Sequence, residues 1–351
     1  MIFFIFILAM IMFYELKVAG GNEFNREYIS PGSTTCINGV FVVLVFLSHI
    51  CQYIKLDGVF DGPYSVLRTN LGQMVVVTFL FYSGYGIMES IKKKGYAYIK
   101  DIPFKRFFRL FYHMAIAVML YVVMNFFLGN AFSLKKTLLA FTGWTSIGNS
   151  NWYILAIFVV YIITFISFTV FRKNSYLAVG TVTALSVAYV YLLMRIGKES
   201  WYYNTLILYA AGMWYSLMKK HIETLLMKND VIYYTVGAAI VTVYYYVYLN
   251  RGKGIEWYSV WGILFMALVL LLTMKLNIGN RILSFLGSHV FSVYILQRIP
   301  MTVLTKIGLN TSHKYAFTVI CFFITIALAV LYDHLIGKLD NLIYSGGLKK
   351  K

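Results

Sequence analysis

Apolar stretches of about 20 residues recur from one end of this chain to the other. That is the length an α-helix needs to cross the ~30 Å hydrocarbon core of a bilayer. Eleven such stretches are read, at 1–19, 37–54, 71–90, 110–129, 152–171, 177–195, 202–218, 231–249, 257–274, 283–304 and 315–337. They leave no segment long enough for a soluble domain. Only 13% of the 351 residues are charged and 60% are hydrophobic. A secreted enzyme, a cytosolic dehydrogenase or a disordered scaffold needs far more polar surface than that. The expected fold class is an all-α integral membrane protein.

The first stretch, MIFFIFILAMIMFYELKVA, lacks a basic leading segment and a small-residue cleavage site, so it is expected to stay as a helix rather than be removed as a signal. Three cysteines, Cys36, Cys51 and Cys321, show no metal-ligand spacing, and an odd number cannot all pair internally. Neither redox chemistry nor a metal is expected. In a soluble protein a net charge of +18 would point to nucleic acid. Here the charge is better read loop by loop, because cytoplasmic loops collect Lys and Arg. One alternating set of loops holds twenty basic residues, among them Lys92 to Lys94, Lys100, Lys105, Arg106 and Arg109. The opposite set holds ten, and Arg298 lies within a span. The richer set, with the C-terminal Lys349 to Lys351, is therefore expected in the cytoplasm and the N-terminus outside, with no nucleic-acid partner.

Ionisable groups inside a span are costly and so are the first functional candidates. His49, in CINGVFVVLVFLSHI, falls in the outer half of its helix and shares a face with Asn38, Val42 and Val45. Arg106 and Arg109 are spaced i, i+3 after Pro103, where a helix N-terminus and two guanidinium forks would favour phosphate. Lipid headgroups and topology anchoring are the competing use of that pair. Gln297 and Arg298 interrupt the late span LGSHVFSVYILQRIPM at a depth similar to His49, with snorkelling to the surface as the alternative for the arginine. His113, His221, His289, His313 and His334 lie nearer span ends or loops and read as structural, and Asp333 beside His334 as a cytoplasmic-end polar pair.

Taken in order, these segments resemble the membrane-bound acyltransferase family 3. INGVFVVLVFLSHI is similar to the first core helix of that family, a Gly and an apolar run ending in the catalytic histidine. VVVTFLFYSGYGI, with Ser83 and Tyr85, is similar to the end of the second, FKRFFRLFYHM to the arginine-rich start of the third, and NWYILAIFVVYI to the opening of the fourth. LSFLGSHVFSVYILQRIPM resembles the late helix. Two positions depart: Asn38 stands where the family often has Arg, and Gln297 where it has a late histidine.

The resemblance implies a ten-helix core at 36–338, preceded by one transmembrane helix and a cytoplasmic linker at 1–35 and followed by a short basic tail at 339–351. It further implies transfer of an acetyl or other short acyl group from cytoplasmic acyl-CoA, acetyl-CoA above all, to a hydroxyl of a cell-surface or lipid-linked polysaccharide. His49 would be the catalytic residue, as general base or acyl carrier. Arg106, Arg109, Asn38, Ser83 and Tyr85 would serve the acyl donor, and Trp152, Gln297 and Arg298 the glycan. The expected setting is a bacterial-type plasma membrane, with homo-oligomerisation left open. A flippase for a lipid-linked saccharide, or a glycan polymerase, is the other class that such helices would suit.

Overall fold

A computed structural model describes residues 1–345, so the Lys349 to Lys351 tail lies outside the described residues. The helices are α1 (Ile2–Phe13), α2 (Pro31–Ile50), α3 (Gly62–Leu71), α4 (Met74–Lys94), α5 (Tyr96–Asp101), α6 (Arg109–Phe127), α7 (Leu134–Ala140), α8 (Trp152–Val170), α9 (Ser175–Arg195), α10 (Ile207–Leu226), α11 (Asp230–Asn250), α12 (Ile255–Lys275), α13 (Arg281–Ser288), α14 (Val290–Leu296), α15 (Arg298–Lys306), α16 (Leu309–Ser312) and α17 (Lys314–Ser345). A two-stranded ladder pairs Lys17 with Asn277 and Val18 with Leu276, and ties the linker after α1 to the end of α12.

Among the described residues, eight helical segments are long and apolar enough to cross a membrane, and a ninth forms if α13 and the α14–α15 segment, bent by 60°, count as one span. The chain is therefore an all-α membrane protein, but two of the eleven stretches behave differently from the sequence reading. The N-terminal helix has 12 residues, about 18 Å, which falls short of the hydrocarbon thickness. The stretch at 202–218 starts its helix only at Ile207 and runs on through Lys219, Lys220, His221 and Glu223, charges that lower its apolar character. Outward faces carry large exposed apolar side chains, among them Phe126, Phe127, Tyr245 and Phe323, as lipid contact requires.

Two parallel helix pairs approach backbone to backbone through glycine. A Cβ on Gly84 of α4 would lie 1.9 Å from the Tyr209 carbonyl oxygen of α10, and one on Gly212 would lie 2.0 Å from that of Phe81. A Cβ on Gly39 of α2 would meet the Leu283 carbonyl at 2.1 Å, and one on Gly287 the Thr35 carbonyl at 1.8 Å. Small residues at such crossings let van der Waals packing hold helices together where lipid removes the hydrophobic drive. The α2–α13 crossing fixes where α14 lies, and α14 sets the height of Tyr294 and Gln297 beside His49.

Candidate active site

His49 is the penultimate residue of α2 and faces a cavity of about 550 Å³. Trp152 at the start of α8, Arg298 at the start of α15, Ser48, and Asn149 to Asn151 of the preceding loop share its lining. That loop is held by its own side chains. Asn151 Nδ2 donates to the carbonyls of Gly143 (2.8 Å) and Thr145 (3.0 Å), and Ser146 Oγ donates to the Asn149 carbonyl at 2.6 Å. Arg298 Nε donates to Ser150 Oγ at 3.2 Å, joining the late helix to the loop. Asn149 Nδ2, on the cavity wall, is buried with no protein partner. An amide, a hydroxyl, a guanidinium and an indole thus converge on one imidazole, a set suited to hydrogen-bonding and stacking a polar ring.

The structure brings His49, Trp152 and Arg298 together, but not Gln297. Gln297 is fully buried, lines no part of this cavity, and donates from Nε2 to the Tyr294 carbonyl at 3.0 Å. It sits behind the histidine instead, close enough to bear on its ring, as are Arg298 and Arg68. His49 Nδ1 and Gln297 Oε1 are both buried without a partner, one able to donate and the other to accept. Gln297 therefore lies beside the imidazole and outside the cavity lining.

A second cavity, also about 550 Å³, opens at the other end of α4 and is lined by Lys94, Lys105, Arg106, Arg109, His113 and Tyr161 with acidic Asp101 and Asp333. Its mouth lies about 30 Å from the first along the 21-residue α4. The floors are closer. Asn151 and Trp152 face one cavity and Tyr161 the other, only about 14 Å apart on α8. Tyr294 stands between them, its ring 6.1 Å from that of His49 and 5.5 Å from that of Tyr153. Ser83 reaches this region through a hydrogen bond with Tyr161.

The basic cavity corrects three readings. No helix starts after Pro103: α5 passes through a π-helical segment, Ile102–Phe108, directly into α6. The wider turn absorbs the proline's missing N–H, so no free amides flank Arg106 and Arg109. Nor are the two arginines equivalent. Arg106 Nε donates to Tyr98 Oη at 2.9 Å, whereas Arg109 pairs with Asp340 of α17, its Nε at 2.9 Å from the carboxylate. Tyr112 and His113 also hold Asp340. Asp333 pairs not with His334 but with His289 and Ser292, clamping the bend between α13 and α14. His113 and His289 therefore carry acidic partners that sequence reading missed. The one signal available was the seven-residue spacing of Asp333 and Asp340, two turns apart on one face of α17.

Two further candidates lie apart from both cavities. Asn38, about 16 Å from His49 along α2, lines neither, and its Oδ1 is buried without a partner. Tyr85 turns toward Tyr215, at 6.1 Å between rings.

No characterised protein and no solved structure matched the chain. A family model described as an acyltransferase domain, that of acyltransferase family 3, matches residues 35–334. That match takes in the His49 helix, both cavities and the bent late segment, and it covers most of the chain, so the protein belongs to the acyltransferase family 3 and is a multi-pass membrane acyltransferase.

Proposed function

We propose that the protein moves an acetyl or other short acyl group from cytoplasmic acyl-CoA to a hydroxyl of a cell-surface or lipid-linked polysaccharide. The observation that carries this reading is the pairing of two cavities at opposite ends of one bundle, one basic and one built around His49, with floors about 14 Å apart. An acyl donor with phosphates and an acceptor with many hydroxyls differ in what they need. Lys94, Lys105 and Arg106 suit the first; Asn149, Ser150 and Trp152 suit the second.

His49 is the general base of this reading. With Gln297 accepting from Nδ1–H, Nε2 keeps its lone pair for the acceptor hydroxyl. The imidazole takes the hydroxyl proton as the oxygen bonds to the thioester carbonyl carbon. The C–S bond then breaks, and the departing thiolate takes that proton from the imidazolium. Arg298, on the cavity wall, offsets the charge that develops on the carbonyl oxygen. Ser83 and Tyr161 flank the route of the acyl arm, and the basic end faces the cytoplasm, in keeping with the excess of Lys and Arg in its loops.

The test is mass spectrometry of surface and lipid-linked glycans from cells with and without the gene, combined with membranes supplied with radioactive acetyl-CoA. An acyl mass increment that depends on the gene, and label that enters glycan and is competed by free CoA, is the expected result. Identical glycans and no CoA-competed label would overturn the reading.

A further inference from the structure

Tyr294, in the second turn of α14, stands in the partition between the two cavities and lines neither. Its ring lies 6.1 Å from that of His49 and 5.5 Å from that of Tyr153, and Tyr153 in turn packs on Phe79 of α4, at 6.1 Å. The side chain is 3% exposed, and its hydroxyl is buried with no hydrogen-bond partner. By contrast, the buried Tyr121 hydroxyl donates to the Ile295 carbonyl at 2.8 Å and that of Tyr233 to the Leu271 carbonyl at 2.6 Å. Arg298 and the Tyr153 amide are close enough to bear on the Tyr294 oxygen, and neither can accept a hydrogen bond. That amide belongs to the first turn of α8, where Asn151 supplies no side-chain cap and the N–H groups have no helical acceptor. The Tyr294 hydroxyl hydrogen is thus left without an acceptor inside the protein, which costs free energy that a bound carbonyl oxygen would relieve.

We propose that the Tyr294 hydroxyl donates to the carbonyl oxygen of the acyl thioester, which makes Tyr294 a catalytic residue beside His49. This rests on the acyl-transfer reading for the identity of the carbonyl. A thioester coming from the basic cavity has to cross the partition to meet a hydroxyl held by His49, so its carbonyl arrives where Tyr294 lacks an acceptor. The acceptor oxygen bonds to the carbonyl carbon as His49 takes its proton, and the carbonyl electron pair moves onto the carbonyl oxygen, against the Tyr294 O–H. That pair returns as the C–S bond breaks, and the departing thiolate takes the proton from the imidazolium. Tyr294 keeps its own proton throughout. Its hydrogen bond strengthens as charge builds on the carbonyl oxygen, and the Tyr153 amide, at the positive end of α8, polarises the O–H in the same sense. Arg298 acts on that charge from the cavity wall.

The experiment uses the full chain in nanodiscs and the variant Tyr294→Phe, which keeps the ring against His49 and Tyr153 and removes the hydroxyl alone. Because that hydroxyl satisfies no protein group, the unfolding temperature of the variant should match or exceed that of the wild type. Its kcat per folded molecule should fall by about 10²–10³-fold while the KM for acetyl-CoA stays close to the wild-type value. A second measurement needs no turnover. Acetyl-CoA isotopically labelled at the carbonyl, bound without acceptor, should show its carbonyl stretch in the infrared at lower frequency in the wild type than free in solution, and Tyr294→Phe should abolish that shift. If Tyr294→Phe fails to fold, the wild-type band decides the matter. An unchanged kcat per folded molecule in Tyr294→Phe, or a wild-type band no lower than that of free acetyl-CoA, would overturn the proposal. Normal acyl transfer by Tyr294→Phe removes this role alone; a lowered carbonyl band with no acyl transfer to any glycan upholds the carbonyl site and removes the glycan reading.

Discussion

Arg109 and Arg106 share a cavity and a spacing, yet they answer to different partners, and substitution should separate them. Arg109→Ala leaves Asp340, 10% exposed, with only Tyr112 and His113, but the arginine is itself 48% exposed, so the loss of stability should be about 1 kcal/mol, and Asp340→Asn should restore much of it. Arg106→Ala removes a charged donor from the cavity without orphaning a carboxylate. Its expected effect is a rise of about tenfold in the KM for acyl-CoA at normal protein level. Thermal unfolding in detergent and a donor titration check the pair; an unchanged KM in Arg106→Ala would reduce it to a topology marker. A second buried carboxylate, Asp61, accepts from the Met1 amine at 2.6 Å and from Lys314 at 2.7 Å. Burial works to raise its pKa, but those two cations and the Gly58 amide hold it down at about 2, from 3.8. Its ionised form therefore contributes stability above about pH 4 that is lost as pH falls toward 2. Asp61→Asn should be destabilised near neutrality, and its unfolding midpoint should converge with that of the wild type as the pH drops below about 4.

At the scale of helices, the spans and the His49 face could be read because both depend on periodicity and length alone. Val42, Val45 and His49 fall on one stripe in any α-helix, and Val45 does line the His49 cavity. What could not be read depends on contacts between distant segments. Pro103 looked like a helix start because local rules put proline there; the π-helical turn that carries it inside a longer helix packs against α8, with the rings of Phe107 and Phe158 5.0 Å apart. Gln297 read as a substrate contact because it interrupts an apolar run, but it is fully buried, donates to the Tyr294 carbonyl and lines no part of the His49 cavity. Gly39, Gly84 and Gly287 were part of recognisable motifs, and only the structure shows that they permit backbone contact. Gly212→Ala is the sharpest test of that role. A Cβ there would sit 2.0 Å from the Phe81 carbonyl, so α4 and α10 must part, at a cost of about 1–3 kcal/mol. The expected readout is a lower unfolding temperature in detergent; an unchanged one would show that the crossing is looser than described.

For the whole molecule, the account depends on which end faces which compartment. Lys93→Cys, beside the basic cavity, should react with an impermeant thiol reagent only after cells are permeabilised, while Lys135→Cys at the opposite end should react in intact cells. The reverse pattern would turn the bundle over and place the basic cavity outside. With that orientation, the proposed function has the protein carry an acyl group across its own thickness, donor and acceptor never sharing a compartment, with His49 as the proposed meeting point. Sealed inside-out vesicles from cells that make the acceptor glycan test this directly. Radioactive acetyl-CoA is supplied outside, and label in glycan held within the lumen is counted per folded molecule. The wild type should label the enclosed glycan, and His49→Ala, at equal abundance, should lower that rate by about 10²–10⁴-fold, the range a placed proton-transfer group contributes. Substantial label with normally folded His49→Ala, or label in the wild type only when donor and glycan are on the same side, would contradict the account.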